Sequence, residues 1–194
     1  WHEYKSLVLI EGSYVDLHQC RIENCGKNGI VVLGDGVTKI IDCKIEGNTN
    51  WGVAASGSGL FVNLLNCQIT ANGTGLYAEK DTMLAARKCN FFENGNFGAH
   101  VSSKRREASF FDCLFNRNKG SGVNVEDNAR VYINHCICKD NGYHGIYMPW
   151  NFNFSDVKNN KLIGNGKSGL NCPIGGSVET SDNIYKDNGY FSNR

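Results

Sequence analysis

The chain has 194 residues, 20 Lys+Arg against 19 Asp+Glu, and a hydrophobic content of 41%. It carries no long basic run, no apolar stretch near the ~18 residues of a membrane span and no signal-peptide pattern, which argues against nucleic acid and membrane as partners. Its 23 Gly and 25 Asn are poor helix formers, which argues against a helix bundle.

Along the chain, Cys20, Cys43, Cys67, Cys89, Cys113 and Cys136 recur every 22–24 residues. Nine cysteines without a C-x-x-C pair, six of them evenly spaced, describe a repeat rather than a zinc or disulfide framework. In register with them, segments begin at Tyr14, Val37, Phe61, Met83, Glu107, Arg130, Phe154 and Ser177. Asn160 and Asn183 take the cysteine position in the last two. Five residues further on runs a second column: Cys25, Asn48, Asn72, Asn94, Asn118, Asn141, Asn165 and Asn188. A glycine column follows at Gly29, Gly52, Gly75, Gly98, Gly122, Gly145 and Gly169. After each glycine comes an apolar-x-apolar triplet, such as Ile30-x-Val32. Leu7 and Leu9 stand 23 residues before Ile30 and Val32, which assigns them to the third strand of an earlier coil. The chain opens mid-coil at Trp1 and closes mid-coil at Arg194, so a fragment of a longer protein is expected.

Apolar residues two apart mark three short strands per unit, as at Val15/Leu17, Cys20/Ile22 and Ile30/Val32. Such short strands bury a face only by stacking at ~4.8 Å per coil. The expected fold is all-β: one parallel β-helix solenoid over residues 1–194, with about eight coils of 22–24 residues. Cysteine suits a narrow interior stack. Asparagine suits left-handed turn positions and side-chain ladders, and glycine a special backbone shape or a close approach.

The pattern C-x-[IF]-x-x-N, followed by an apolar strand after glycine, resembles the right-handed parallel β-helix repeat superfamily over nearly the whole chain. That superfamily includes pectate lyases, polygalacturonases and modules of carbohydrate-binding proteins and sugar hydrolases. The cysteine-rich variant looks most like intracellular eukaryotic members, such as F-box ubiquitin-ligase receptors and Shc-binding, cytokinesis-associated proteins, where the module resembles a partner-binding arm. The resemblance implies a right-handed coil and a cytoplasmic or nuclear location. The polygalacturonase-like set of clustered aspartates and the pectate-lyase arrangement of calcium-binding Asp with an Arg base are absent.

Outward residues of the third strands form a polar and aromatic stripe on coils three to six. Its candidate partner-binding residues are Tyr77, Glu79, His100, Arg105, Asn124, Glu126, Tyr147 and Trp150. Aromatic rings stack on sugars or anchor proteins, and carboxylates and Arg take hydroxyls or acidic groups. A second candidate column holds Trp51, Phe97 and His144. Glu79 and Glu126 lie two coils apart, ~9.6 Å by coil spacing, the long limit for an inverting glycosidase pair. The residues therefore argue against catalysis, and no metal or cofactor set is present in the pattern. The sequon at Asn72 falls in the asparagine column, where its side chain is expected to be engaged.

The first expectation is a non-catalytic scaffold that binds a protein partner, as an adaptor or substrate-recognition arm, through one lateral face. The alternatives are a carbohydrate-active or carbohydrate-binding β-helix and an oligomeric spike rod.

Overall fold

The computed structural model describes residues 6–102, 106–127, 129–149, 154–172 and 177–189. Every paired strand is parallel, and three stacks run along the rod, each eight strands deep. The second-strand stack is the simplest. It runs Arg21–Glu23, Lys44–Glu46, Gln68–Thr70, Asn90–Phe92, Leu114–Asn116, Ile137–Lys139, Lys161–Ile163 and Ile184–Lys186. Its register places Ile22, Ile45, Ile69, Phe91, Phe115, Cys138, Leu162 and Tyr185 one above another. This is the inner column, and most of it is fully buried. No strand could bury this face alone, so stacking supplies the core.

In the first two coils the third strand and the following first strand are not separate. They run on as Ser6–His18 and Asn28–Ile41, of 13 and 14 residues. Gly12, Gly34 and Gly36 at positive φ carry the paired backbone round the corner there. In later coils the two strands are separate at this corner.

Leu7 and Leu9 lie on a third strand, as expected, but on its outer face. Val8 pairs with Ile30 and Ile10 with Val32, while Leu7 and Leu9 point outward and are exposed. The first coil is one residue shorter than the 23-residue spacing assumes, with a register irregularity between Glu11 and Ser13. A one-residue slip exchanges the two faces of a strand.

The column chemistry also divides differently from expectation. Left-handed φ falls on the residues immediately before the cysteine and asparagine columns. Examples are Asp42, Asn66, Lys88, Asp112 and His135 at one corner, and Ala71, Glu93, Arg117 and Asp140 at the other. The asparagines themselves turn inward and form a ladder. Asn118 Nδ2 donates to Asn141 Oδ1 (2.9 Å) and to Phe91 O (3.1 Å). Its Oδ1 accepts from Asn94 N (3.1 Å) and Nδ2 (2.9 Å). Asn72 sits in the same ladder, 2% exposed.

The glycine column needs no special φ. A Cβ on Gly98 would stand 2.6 Å from Gly122 O and 2.9 Å from Phe115 Cδ1, and the column repeats this close approach coil after coil. All nine cysteines are free. Burial pushes the Cys43 and Cys138 thiols up, so they stay protonated and act as small apolar filling.

Candidate functional site

The outward face of the third-strand stack is less open than its polar sequence suggests. Val31, Ala54 and Asn124 are 0%, 4% and 1% exposed. Ala54 lies in register between Val31 and Tyr77, and Asn124 between His100 and Tyr147. Small side chains between larger ones on adjacent coils are closed over.

Two candidate columns meet here. Trp51 and Phe97 stand three residues before the outward positions of their strands, and their rings reach across to the stripe. Trp51 lies face to face with Tyr77 (centroids 4.8 Å, planes 7° apart). His100 meets Tyr77 and Phe97 edge-on at 5.2 and 5.3 Å. One face of Tyr77 is thus taken by Trp51, and the phenol acts as a bracket more than a platform. Burial, and then Glu79, raise the Tyr77 pKa, so its hydroxyl keeps its proton and donates.

The polar atoms follow the same rungs. Glu79 accepts from Tyr77 Oη (2.8 Å) and from Ser56 Oγ (2.8 Å). Glu126 accepts from Asn124 Nδ2 at 3.0 Å, and its other oxygen lies 3.3 Å from His100 Nε2. The two atoms make no directed hydrogen bond, so buried Nε2 has a carboxylate neighbour and unused hydrogen-bonding capacity. Ser102 Oγ donates to Asp127 at 2.5 Å. Both glutamates are therefore oriented by their own coil or the coil before, and the intervening rung is Ser102.

A separate ring cluster lies further along. Tyr147 stacks on His144 (4.8 Å, 9°), Tyr143 meets His144 edge-on at 5.3 Å, and Lys167 Nζ sits 3.6 Å from the Tyr143 centroid. His144 is not an exposed aromatic. It is 5% exposed, and its Nδ1 accepts from Ser168 N–H (3.2 Å). Burial, with Lys167 adding to it, pushes the imidazole down to about 4. The unfolded side chain titrates near ~6.5, so the neutral form stabilises the fold above that pH. Stability is then lost as pH falls towards 4, on the order of 1 kcal/mol per pH unit. Urea titrations from pH 7 to pH 4 are expected to show this slope, and His144→Gln is expected to flatten it.

Arg105 and Trp150 lie outside the described residues. Of the other candidates, the structure gathers Trp51, Tyr77, Glu79, Phe97, His100 and Glu126 into one patch, with Asn124 as a buried support. It places His144 and Tyr147 in the second cluster. Lys167 was missed, although it shares a column with Tyr143 one coil away. Among the described residues no three His, Cys, Asp or Glu converge to hold a metal ion, and no helix is long and apolar enough to cross a membrane. Two shallow surface depressions lie off this face. One, of about 430 Å³, is at the corner of the first coils by Asp35 and Ser58, and the other, of about 470 Å³, is on the first-strand stack.

This architecture defines a class. The family described as right handed beta helix region matches residues 5–155 and 51–192, and the chain belongs to it. Among solved structures, the crystal structure of pectate lyase Pel9A is similar, with a TM-score of 0.66 at 18% sequence identity. The match covers 94% of this chain and 57% of that one, so the chain spans little more than half of that protein's length. At this identity the likeness is one of fold. No curated protein sequence matches the chain.

Proposed function

We propose that the chain is a carbohydrate-binding β-helix that holds an extended oligosaccharide along the rod, on the third-strand face from Trp51 to Asp127. One observation carries this reading. Oriented acceptors and donors repeat at single-coil intervals (Ser56, Glu79, Ser102, Glu126) beside a line of rings. The ~4.8 Å coil spacing is close to the length of one sugar residue in an extended chain, so one rung can serve one sugar. Carboxylates accept sugar hydroxyls, and rings cover the apolar sugar faces. The likeness to a pectate lyase fold is compatible with this reading. A protein-binding adaptor arm, which the sequence suggested first, has a weaker footing: protein hot spots favour a dense apolar centre, whereas this stripe alternates rings with oriented carboxylates.

The test is a panel of neutral, amino and acidic oligosaccharides titrated calorimetrically against the 194-residue chain. Saturable binding is expected, weakened at least tenfold in Trp51→Ala and in Glu79→Gln with the melting temperature held. A flat panel, or binding unchanged in both variants, overturns the reading. Turnover that disappears in Glu79→Ala or Glu126→Ala converts binding into catalysis.

A further inference from the structure

The outward side of the first-strand stack carries a second feature, unconnected with the aromatic stripe. The strands Leu60–Leu65, Met83–Arg87 and Glu107–Phe111 lie in register there. Outward positions along these rungs are Asn63, Ala85 and Ser109, flanked by Leu65, Arg87 and Phe111. The two small side chains, Ala85 and Ser109, leave a shallow dish of about 470 Å³ lined by these six residues and Ala86. Phe111, 37% exposed, forms one wall. His135 braces its ring edge-on at 5.2 Å.

Among the described residues, charge pairing on this face has one exception. Lys39 pairs with Asp16 (3.5 Å), Arg130 with Glu107 (3.0 Å), and Lys158 with both Asp156 (3.2 Å) and Glu179 (2.6 Å). Arg87 has no carboxylate within ion-pair distance among the described residues. Its guanidinium instead lies over the Phe111 ring, 5.1 Å from the centroid. A guanidinium laid on an aromatic ring is held in place while its N–H fork stays available at the ring's edge. The nearest corner carboxylate on the preceding coils, Asp42, is engaged by Asn66 Nδ2 (2.6 Å). Asp112 follows Phe111 at the corner and makes no ion pair with Arg87.

We propose that this dish is a binding site for a carboxylate borne on a single six-membered ring. Arg87 takes the carboxylate as a two-pronged donor, which the compact ammonium of a lysine does not match. Phe111 and Leu65 cover the ring's apolar face, and Asn63 and Ser109 meet polar groups at its edge. Saccharide and aryl carboxylates share this chemistry. The site is independent of the oligosaccharide stripe, which lies on the third-strand stack, round the corner of the same sheet.

The experiment titrates D-glucuronate and benzoate against the 194-residue chain, with glucose and benzyl alcohol as their uncharged counterparts, followed by calorimetry and by the NMR shifts of the Phe111 ring. At least one carboxylate is expected to bind saturably and at least tenfold more tightly than its uncharged counterpart. Glucuronate ahead of benzoate identifies a saccharide carboxylate, and the reverse order an aryl one. Binding is expected to vanish in Arg87→Ala, to weaken in Arg87→Lys, and to vanish in Ala85→Leu, which fills the dish from an outward position. Trp51→Ala is expected to leave it unchanged, which separates its failure from that of the stripe. Equal binding of charged and uncharged probes, survival of binding in Arg87→Ala, or no saturable binding by any probe overturns the proposal.

Discussion

Asn118→Ala is expected to lower the unfolding free energy by about 4 kcal/mol, although the side chain touches no ligand face. Asn118 is 1% exposed and makes four side-chain hydrogen bonds, to the coil on either side and to Phe91 O. Truncation leaves the Asn94 N–H without its acceptor in a dry interior and weakens three further partners. Each buried group left unmade costs ~1–3 kcal/mol. Asn118→Asp sharpens the test. A carboxylate still accepts from Asn94 but does not donate to Phe91 O or Asn141 Oδ1. Burial raises its pKa, so this variant is expected to gain stability as pH falls and the acid regains a proton to donate. Urea denaturation at pH 7 and pH 5 reads both effects. A loss below 1 kcal/mol in the alanine variant contradicts the ladder's role.

Phe115→Ala is expected to cost a similar amount, about 4 kcal/mol, by a different route. Phe115 is fully buried, stacked on Phe91 at 4.8 Å and edge-on to Phe110 at 5.5 Å. The same two coils carry small interior residues, Ala86, Ala99 and Ala108, so much of the local core volume is in these rings and truncating one leaves a cavity. Phe115→Leu keeps most of the volume and is expected to cost less than ~1.5 kcal/mol. Contacts in a solenoid are to adjacent coils. The alanine variant is therefore expected to broaden or split the urea transition, as the two halves of the rod lose their coupling. A single sharp transition with unchanged slope contradicts that coupling.

Much of this architecture is legible in the residues. The spacing from Cys20 to Cys136 reports the coil length, and the apolar-x-apolar pairs report which side of each strand is buried. Ile45, Ile69 and Phe91 fall in one interior column as the alignment requires. Where turn lengths change by one residue, the alignment misleads. Leu7 and Leu9 stand 23 residues before the inner pair Ile30 and Val32, but the first coil keeps a 22-residue spacing and turns them to the outer face of their strand. The asparagine column was found, but its reason was only half right. Left-handed φ belongs to the preceding residues, whose identities range over Asp, Lys, Arg, Glu and Ala and leave little signal.

The candidate site was legible as two lists. Their union was not, because Trp51 and Tyr77 belong to different columns and meet only where the corner turns a side chain across the next rung. The burial of Asn124 and His144 was invisible for the same reason. By itself the sequence determined the repeat length, the number of stacked coils and the residues lining the interior. Those depend on period, and period is written in the chain. Only the tertiary structure decided which outward residues share a surface, which carboxylates are oriented, and that Arg87 lies over Phe111 with no acid beside it. Those contacts depend on rotamers and corner geometry between coils, which have no period to read.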